Sequence, residues 1–343
     1  MRIGVLTGGG DCPGLNAVIR AVTRRGADLG HEIVGIRHSW RGIVDRDVVE
    51  LDRSAVSGIL PRGGTILGMA RFDPFLEERG VERTLAGIAE LRLDAVVAIG
   101  GEGTLAIAHR LHGAHGVPVV GVPKTIDNDI GATDYSFGFD TAVQVCCEAI
   151  DRLHTTAESH NRIMVVEVMG RNAGWIALHA GMAAGADVIL VPEDSLPIED
   201  ACDAIRERHE RGRSYSIVVV AEGYALTRRS GEQEAVSQGS DAYGYVRLGG
   251  IGSVVADEIA RATGYETRVT VLGHVQRGGT PTARDRVLAT RFGLLAARLA
   301  HESRFGRMAA LRGDRVVDVS LDEATGSLKL VPPEWLAAAR QIA

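Results

Sequence analysis

The sequence predicts an α/β protein of two domains, each built on a mainly parallel sheet with helices on its faces. Three observations carry that expectation. The chain has 343 residues, enough for two domains at about 100–200 residues each. Short β-branched runs alternate with longer helical patterns, which is how βαβ units read. Glycine is abundant, at 43 residues, and gathers where strands end, the edge at which open α/β sheets bind ligands.

Each element has a local reason. The run Arg2–Leu6, largely apolar after its first residue, leads through Thr7 to three glycines and reads as a strand. Leu15, Val18, Ile19 and Val22 then recur at helical spacing, predicting a helix over Leu15–Leu29. A strand over Ile33–Ile36 is followed by a helix over Val81–Leu91, a strand over Ala95–Ile99, a helix over Leu105–Leu111 and a strand over Val117–Val120. The next helix covers Ala142–His154. Strands at Ile163–Val168, Val188–Val191, Ile217–Ala221 and Thr267–Leu272 then alternate with helices at Ala173–Ala183, Ile198–Glu210, Gly252–Ala262 and Ala283–Ala300. Ala225–Gly250 is polar, rich in Gly and Ser, without an apolar period, and is expected to be an exposed insertion.

Composition narrows the function classes. Hydrophobic residues make up 45% and charged residues 24%, as in ordinary globular proteins, and the formal net charge of −6 argues against nucleic-acid or membrane-surface binding. No stretch approaches the roughly 18 consecutive apolar residues of a membrane span. Neither a signal-type leader nor a metal-type cysteine spacing is apparent around Cys12, Cys146, Cys147 and Cys202, so reduced thiols and a cytoplasmic location are expected. Lys124 and Lys329 are the only lysines; arginine carries the remaining fixed positive charge.

Three strand-to-helix or strand-end segments carry chemistry. Gly8-Gly9-Gly10-Asp11-Cys12-Pro13-Gly14 lets backbone approach an anion at a helix N-terminus, although its spacing differs from GxGxxG. Gly100-Gly101-Glu102-Gly103-Thr104 adds a carboxylate that could hold Mg²⁺ bridging phosphates. Pro123-Lys124-Thr125-Ile126-Asp127-Asn128-Asp129 offers one aspartate as a base and another for metal or orientation. Each segment also reads as ordinary turn punctuation when taken alone. Arg71, Arg162, Arg171 and Arg277 stand where bidentate phosphate recognition would use them, with His274 near Arg277 and Glu222 at a strand end. His109, His112 and His115 read as a solvated helix end rather than as metal ligands.

Taken together and in order, LTGGGDCPGLNA, GGTILGMARF, IGGEGT, VPKTIDNDI, AIDRLHTTAESHNRI, VEVMGRNAGW and TVLGHVQRGGTPTARDR resemble the 6-phosphofructokinase family, from residue 1 to about residue 300. The resemblance implies two Rossmann-like three-layer domains, one formed by residues 1–137 with about 276–326, the other by 138–275, and a tail over 327–343. It implies Mg²⁺-dependent phosphorylation of fructose 6-phosphate at its 1-hydroxyl, in a homotetramer whose subunits share active sites. Carried onto matching positions, Gly10, Arg71, Phe72, Gly101, Glu102, Gly103 and Thr104 would bind ATP, with Glu102 holding the metal. Asp127 would be the base and Arg171 would stabilise the transferring group. Thr125, Ile126, Asp127, Met169, Gly170, Arg171, Glu222, His274, Val275, Gln276 and Arg277 would bind the sugar phosphate, with Arg162 and Arg268 reaching a neighbour's site.

The donor is set at two positions. Lys124 looks like the pyrophosphate-using branch, whereas Gly103 stands where that branch usually carries Asp. An aspartate at 103 would put a side chain and a negative charge where an α-phosphate must pass. ATP is therefore the expected donor and pyrophosphate the alternative.

Overall fold

The computed structural model describes residues 1–194, 196–236 and 248–342. It divides into two compact units. The first comprises Met1–Ile126, Ile130–Thr141 and Arg277–Lys329; the second comprises Asp127–Asp129, Ala142–Gln276 and Leu330–Ala343.

The first unit opens with β1 (Arg2–Thr7), α1 (Leu15–Asp28), β2 (Glu32–Ile36), α2 (Trp40–Asp45) and β3 (Val48–Leu51). It continues with α3 (Gly80–Glu90), β4 (Ala95–Gly100), α4 (Glu102–His115), β5 (Val119–Thr125) and β6 (Phe137–Gly138). Helix α5 (Phe139–His160) carries the chain into the second unit. There lie β7 (Ile163–Val168), α6 (Trp175–Ala183), β8 (Val188–Leu190), α7 (Ile198–Glu210) and β9 (Ser216–Ala221). A short pair, β10 (Leu226–Thr227) and β11 (Gln233–Glu234), precedes α8 (Ile251–Thr263), β12 (Thr267–Val271) and a 3-10 turn over Gly273–Arg277. The chain returns to the first unit for α9 (Ala283–His301), β13 (Arg307–Arg312), β14 (Arg315–Ser320) and α10 (Leu321–Thr325), and ends in the second with α11 (Pro333–Ile342).

Among the described residues the first sheet runs β14-β13-β5-β4-β1-β2-β3, with β6 beside β5. Its interior pairings are parallel and its two edge pairings, β2–β3 and β13–β14, antiparallel. Strand β4 is buried along its whole length, as a strand covered on both faces must be. One face packs Leu6, Ile36, Val96 and Ala98 against Trp40, Ile43, Leu105, Leu111 and Leu321. The residues that alternate with these face α1 and α9, the most extensively paired helices. The second unit's sheet, β12-β7-β9-β8, is parallel throughout, and Val165, Val218 and Val220 pack on Ile198, Ile205, Val255 and Ile259. No described helix is long and apolar enough to cross a membrane.

Several elements depart from the sequence reading. Strands β3, β13 and β14 were not expected: VVEL is only partly buried, and RMAALR is alanine-rich enough to read as helix. The predicted strand Val117–Val120 lies instead at Val119–Thr125, because pairing with β6 continues it through Lys124 and Thr125. Helix α4 starts earlier than expected, at Glu102, which places that carboxylate in its first turn. Helix α6 starts at Trp175 rather than Ala173, leaving Ala173 and Gly174 in the preceding loop. Of the expected insertion over Ala225–Gly250, the described part holds the β10–β11 pair, with Leu226 and Thr227 buried; residues 237–247 lie outside the described set.

Candidate active site

In the first unit three loops leave the carboxyl ends of adjacent strands. Parallel register sets Thr7 beside Ile99 and Gly100 beside Pro123, so the ends of β1, β4 and β5 are level. The first two loops open α1 and α4, and neither helix N-terminus has a side-chain cap. Their free N–H groups and positive dipole ends suit anionic phosphate oxygens. Gly8 lies so close to Thr104 Oγ1 and Ser39 Oγ that a Cβ would overlap them, and Gly9 adopts φ +80°. The glycine loop therefore needs glycine for space at one position and for backbone conformation at the next.

Two cations hold that loop. Lys124, 3% exposed, donates from Nζ to the Gly10 carbonyl, and Arg277 Nη1 donates to the Asp11 carbonyl at 3.3 Å. A Cβ on Gly10 would come within 2.6 Å of Arg277 Nη1. Glu102 and Gly103 are exposed in the first turn of α4, while Thr104 is buried beneath them. Arg71 is exposed; the neighbouring Phe72 is packed in the core with the Arg41 guanidinium 5.7 Å from its ring centroid. Burial pushes the Cys12 thiol up to about 12, with Lys124 and Arg277 opposing less strongly, so it is no nucleophile at neutral pH.

Among the described residues no cluster of three or more His, Cys, Asp or Glu side chains could cage a metal. The donor set still fits Mg²⁺, which commonly takes one or two carboxylates and completes its shell with waters and substrate phosphates. Glu102, exposed beside the glycine turn, is the carboxylate placed for that.

In the second unit Asp127 is half-buried and precedes Asn128, whose φ of +53° is a left-handed conformation that Asn tolerates. Parallel pairing of β7 with β9 sets Val168 beside Ala221, so the Met169–Arg171 loop and Glu222 emerge together. A cavity of about 350 Å³ is lined by Met169, Glu222 and His274 from the predicted set, together with Glu167, Gly249 and Gly250. That volume suits a small molecule. Gln276 is fully buried: its Oε1 accepts from Met169 N at 3.2 Å and Cys146 Sγ at 3.1 Å, and its Nε2 donates to the Gly273 carbonyl. Gln276 thus ties the Met169 loop to the His274 turn, and exposed Val275 lies between them in that turn. Gly170 lies on the same loop, its carbonyl accepting from Gly223 N at 3.0 Å. Arg162 and Arg268 do not line the cavity; both pair with Glu266, which their guanidinium groups, Arg162 first, hold below the usual carboxylate range.

Glu167 is a site residue that the sequence reading missed. It is 2% exposed, lines the cavity, and accepts from Gly250 N at 3.1 Å and Gly252 N at 2.8 Å. One acid inside the otherwise apolar strand IMVVEV was the available signal.

Comparison with known proteins adds independent findings. A family model described as Phosphofructokinase matches residues 2–300. Over 334 residues the chain is 56% identical to a pyrophosphate–fructose 6-phosphate 1-phosphotransferase of Streptomyces coelicolor, covering 97% of each. It is 54% identical over 340 residues to an ATP-dependent 6-phosphofructokinase 3 of the same organism, covering 99% of each. The structure of phosphofructokinase from Saccharomyces cerevisiae is similar at a TM-score of 0.82 and 31% identity, over 95% of this chain and 45% of that one. The expected α/β architecture with mainly parallel sheets is borne out by that likeness.

Proposed function

The chain belongs to the phosphofructokinase family, and we propose that it transfers the γ-phosphoryl group of ATP to the 1-hydroxyl of fructose 6-phosphate, giving fructose 1,6-bisphosphate. The donor side of the reading is the β1 and β4 glycine loops with Arg71 and Glu102; the acceptor side is Asp127, the Met169–Arg171 loop, Glu222 and His274. Asp127 accepts the hydroxyl proton as the oxygen attacks the γ-phosphorus, and the bond from that phosphorus to the bridging oxygen breaks to release ADP. Arg171 meets the charge that develops on the transferring group. When bound at Glu102, Mg²⁺ neutralises charge on the donor phosphates. The other residues act by positioning, which supplies most of the rate enhancement in phosphoryl transfer.

The observation that carries ATP as donor is Gly103, exposed in the first turn of α4 with no side chain or charge to oppose an α-phosphate. Pyrophosphate is the second reading, favoured by Lys124 and by relatives of 56–58% identity named for that donor. An ammonium has three N–H donors, so Lys124, which donates to the Gly10 carbonyl, can sit beside either phosphoryl donor. A coupled assay of the wild-type chain with each donor decides: kcat/KM is expected to be larger with ATP, and a larger value with pyrophosphate reverses the assignment. A cytoplasmic homotetramer with Arg162 and Arg268 serving a neighbour's site completes the proposal.

A further inference from the structure

Arg171 sits on a loop, Met169–Gly174, held at three points. Met169 N–H donates to Gln276 Oε1 at 3.2 Å, at the start of the loop. In the middle, Gly223 N–H donates to the Gly170 carbonyl at 3.0 Å, and Gly223 is pressed so closely on the Arg171 carbonyl that a Cβ would overlap it. At the end, Gly174 N–H donates to both carboxylate oxygens of Glu193 at 3.0 Å. Gly174 also admits no Cβ, which would overlap Val191 and approach Glu193 Oε2 to 3.0 Å.

Glu193 lies in no motif noted in the sequence, and it has a second partner. Its Oε1 accepts from Val331 N–H at 3.0 Å, in the segment that follows α10 and lies beyond the matched family model. The same segment docks on the second unit at two further places. Arg340 pairs with Asp194, next to Glu193. Trp335 stacks on His179 at 5.1 Å and meets Trp175 edge-on at 6.3 Å, on the helix that Gly174 opens.

We propose that Glu193 is a positioning residue for the Arg171 loop, and that the C-terminal segment from Leu330 onward holds Glu193 in place. A single carboxylate then links the chain's last helix to the loop that grips the substrate. A shift of α11 changes affinity for the sugar phosphate without touching the donor. This inference rests on the assignment of Arg171 to the sugar phosphate.

The test uses the full chain with Glu193→Ala, Glu193→Gln and Val331→Pro, the last removing the backbone donor while leaving the carboxylate. Two readouts are taken: KM for each substrate, and amide exchange of the peptide 169–176. Glu193→Ala is expected to raise KM for fructose 6-phosphate by about tenfold or more while KM for ATP stays within about twofold. Exchange in 169–176 should quicken with the rest of the second unit unchanged. Glu193→Gln keeps an acceptor for Gly174 and should stay within about threefold of wild type, with Val331→Pro between the two. A sugar KM that does not move in Glu193→Ala overturns the proposal, whether or not exchange quickens. Equal rises in both KM values with faster exchange throughout the unit also overturn it, since that is general loosening. If Glu193→Ala does not fold, Val331→Pro decides by the same two readouts. Should the wild-type chain not turn over fructose 6-phosphate with either donor, the functional reading fails separately; exchange in 169–176 still decides whether Glu193 holds the loop.

Discussion

Asp127, the proposed base, and Asp285 sit in different surroundings, one half-buried at a strand's end and the other fully buried. Asp127→Ser should lower kcat by at least about 10²-fold, the scale of general-base catalysis. Calorimetric binding of fructose 6-phosphate should persist; a variant keeping a third of wild-type kcat removes Asp127 from the role of base. Asp285 is fully buried, accepting from Thr141 N at 2.9 Å and Thr141 Oγ1 at 2.5 Å. Burial pushes its pKa up from 3.8 to about 6 despite those bonds. Because the folded value exceeds the unfolded one, its stabilising contribution is full below about pH 4 and is lost as pH rises through about 6. Relative to wild type, Asp285→Asn should gain on the order of 1–3 kcal/mol between pH 4 and pH 7. Urea unfolding at both pH values measures this, and a constant difference would mean that Asp285 ionises normally.

At the scale of elements, Glu167 does for α8 what a side-chain cap does for an exposed helix. The helix begins at Ile251 after Gly250, has no side-chain cap of its own, and receives the Glu167 carboxylate on two backbone N–H groups instead. A buried acid next to a helix's positive end is held by those bonds and by the dipole. Glu167→Gln keeps one acceptor and loses the charge, so unfolding free energy should fall by about 1–2 kcal/mol. Amide exchange at the first turn of α8 should quicken most; a uniform increase across the second unit would argue for a general core defect. Other elements were more legible than the reading allowed. Gly313-Asp314 between β13 and β14 is a two-residue hairpin signal, and Gly313 adopts φ +56° there. The alanine-rich composition of the preceding strand obscured it.

At the scale of the whole molecule, the proposed assembly makes its own forecast. Arg162 and Arg268 pair with one acid, Glu266, and β12, which carries Arg268, is an edge strand of its sheet. If Arg162 serves a neighbour's site, Arg162→Ala should raise KM for fructose 6-phosphate and leave KM for ATP nearly unchanged. Mixed oligomers of Asp127→Ser and Arg162→Ala subunits should then recover activity, because some sites draw an unaltered base from one chain and an unaltered arginine from the other. A fully active monomer in light scattering would rule out sharing. Verified mixed oligomers without recovered activity would place Arg162 in its own subunit.

What the sequence determined by itself is local. Apolar periodicity set the alternation of strands and helices, and glycine clusters marked the strand ends because turns and close backbone approach depend on neighbouring residues. Motifs assembled from such clusters therefore pointed to Asp127, Glu102, the glycine loops and the Met169–Arg171 loop through residue type and order along the chain. Tertiary structure alone decided which ends are level and which distant groups support them. Register aligned β1, β4 and β5, and pairing with β6 moved Lys124 and Thr125 from a loop into a strand. It also brought in Glu167 and Glu193 and gave Gln276, already expected at the site, its support; their partners lie 83, 138 and 107 residues away along the chain. Their partners are backbone N–H groups, which every residue except proline carries, so no residue pattern announces the pairing; only the folded path of the chain brings donor and acceptor together.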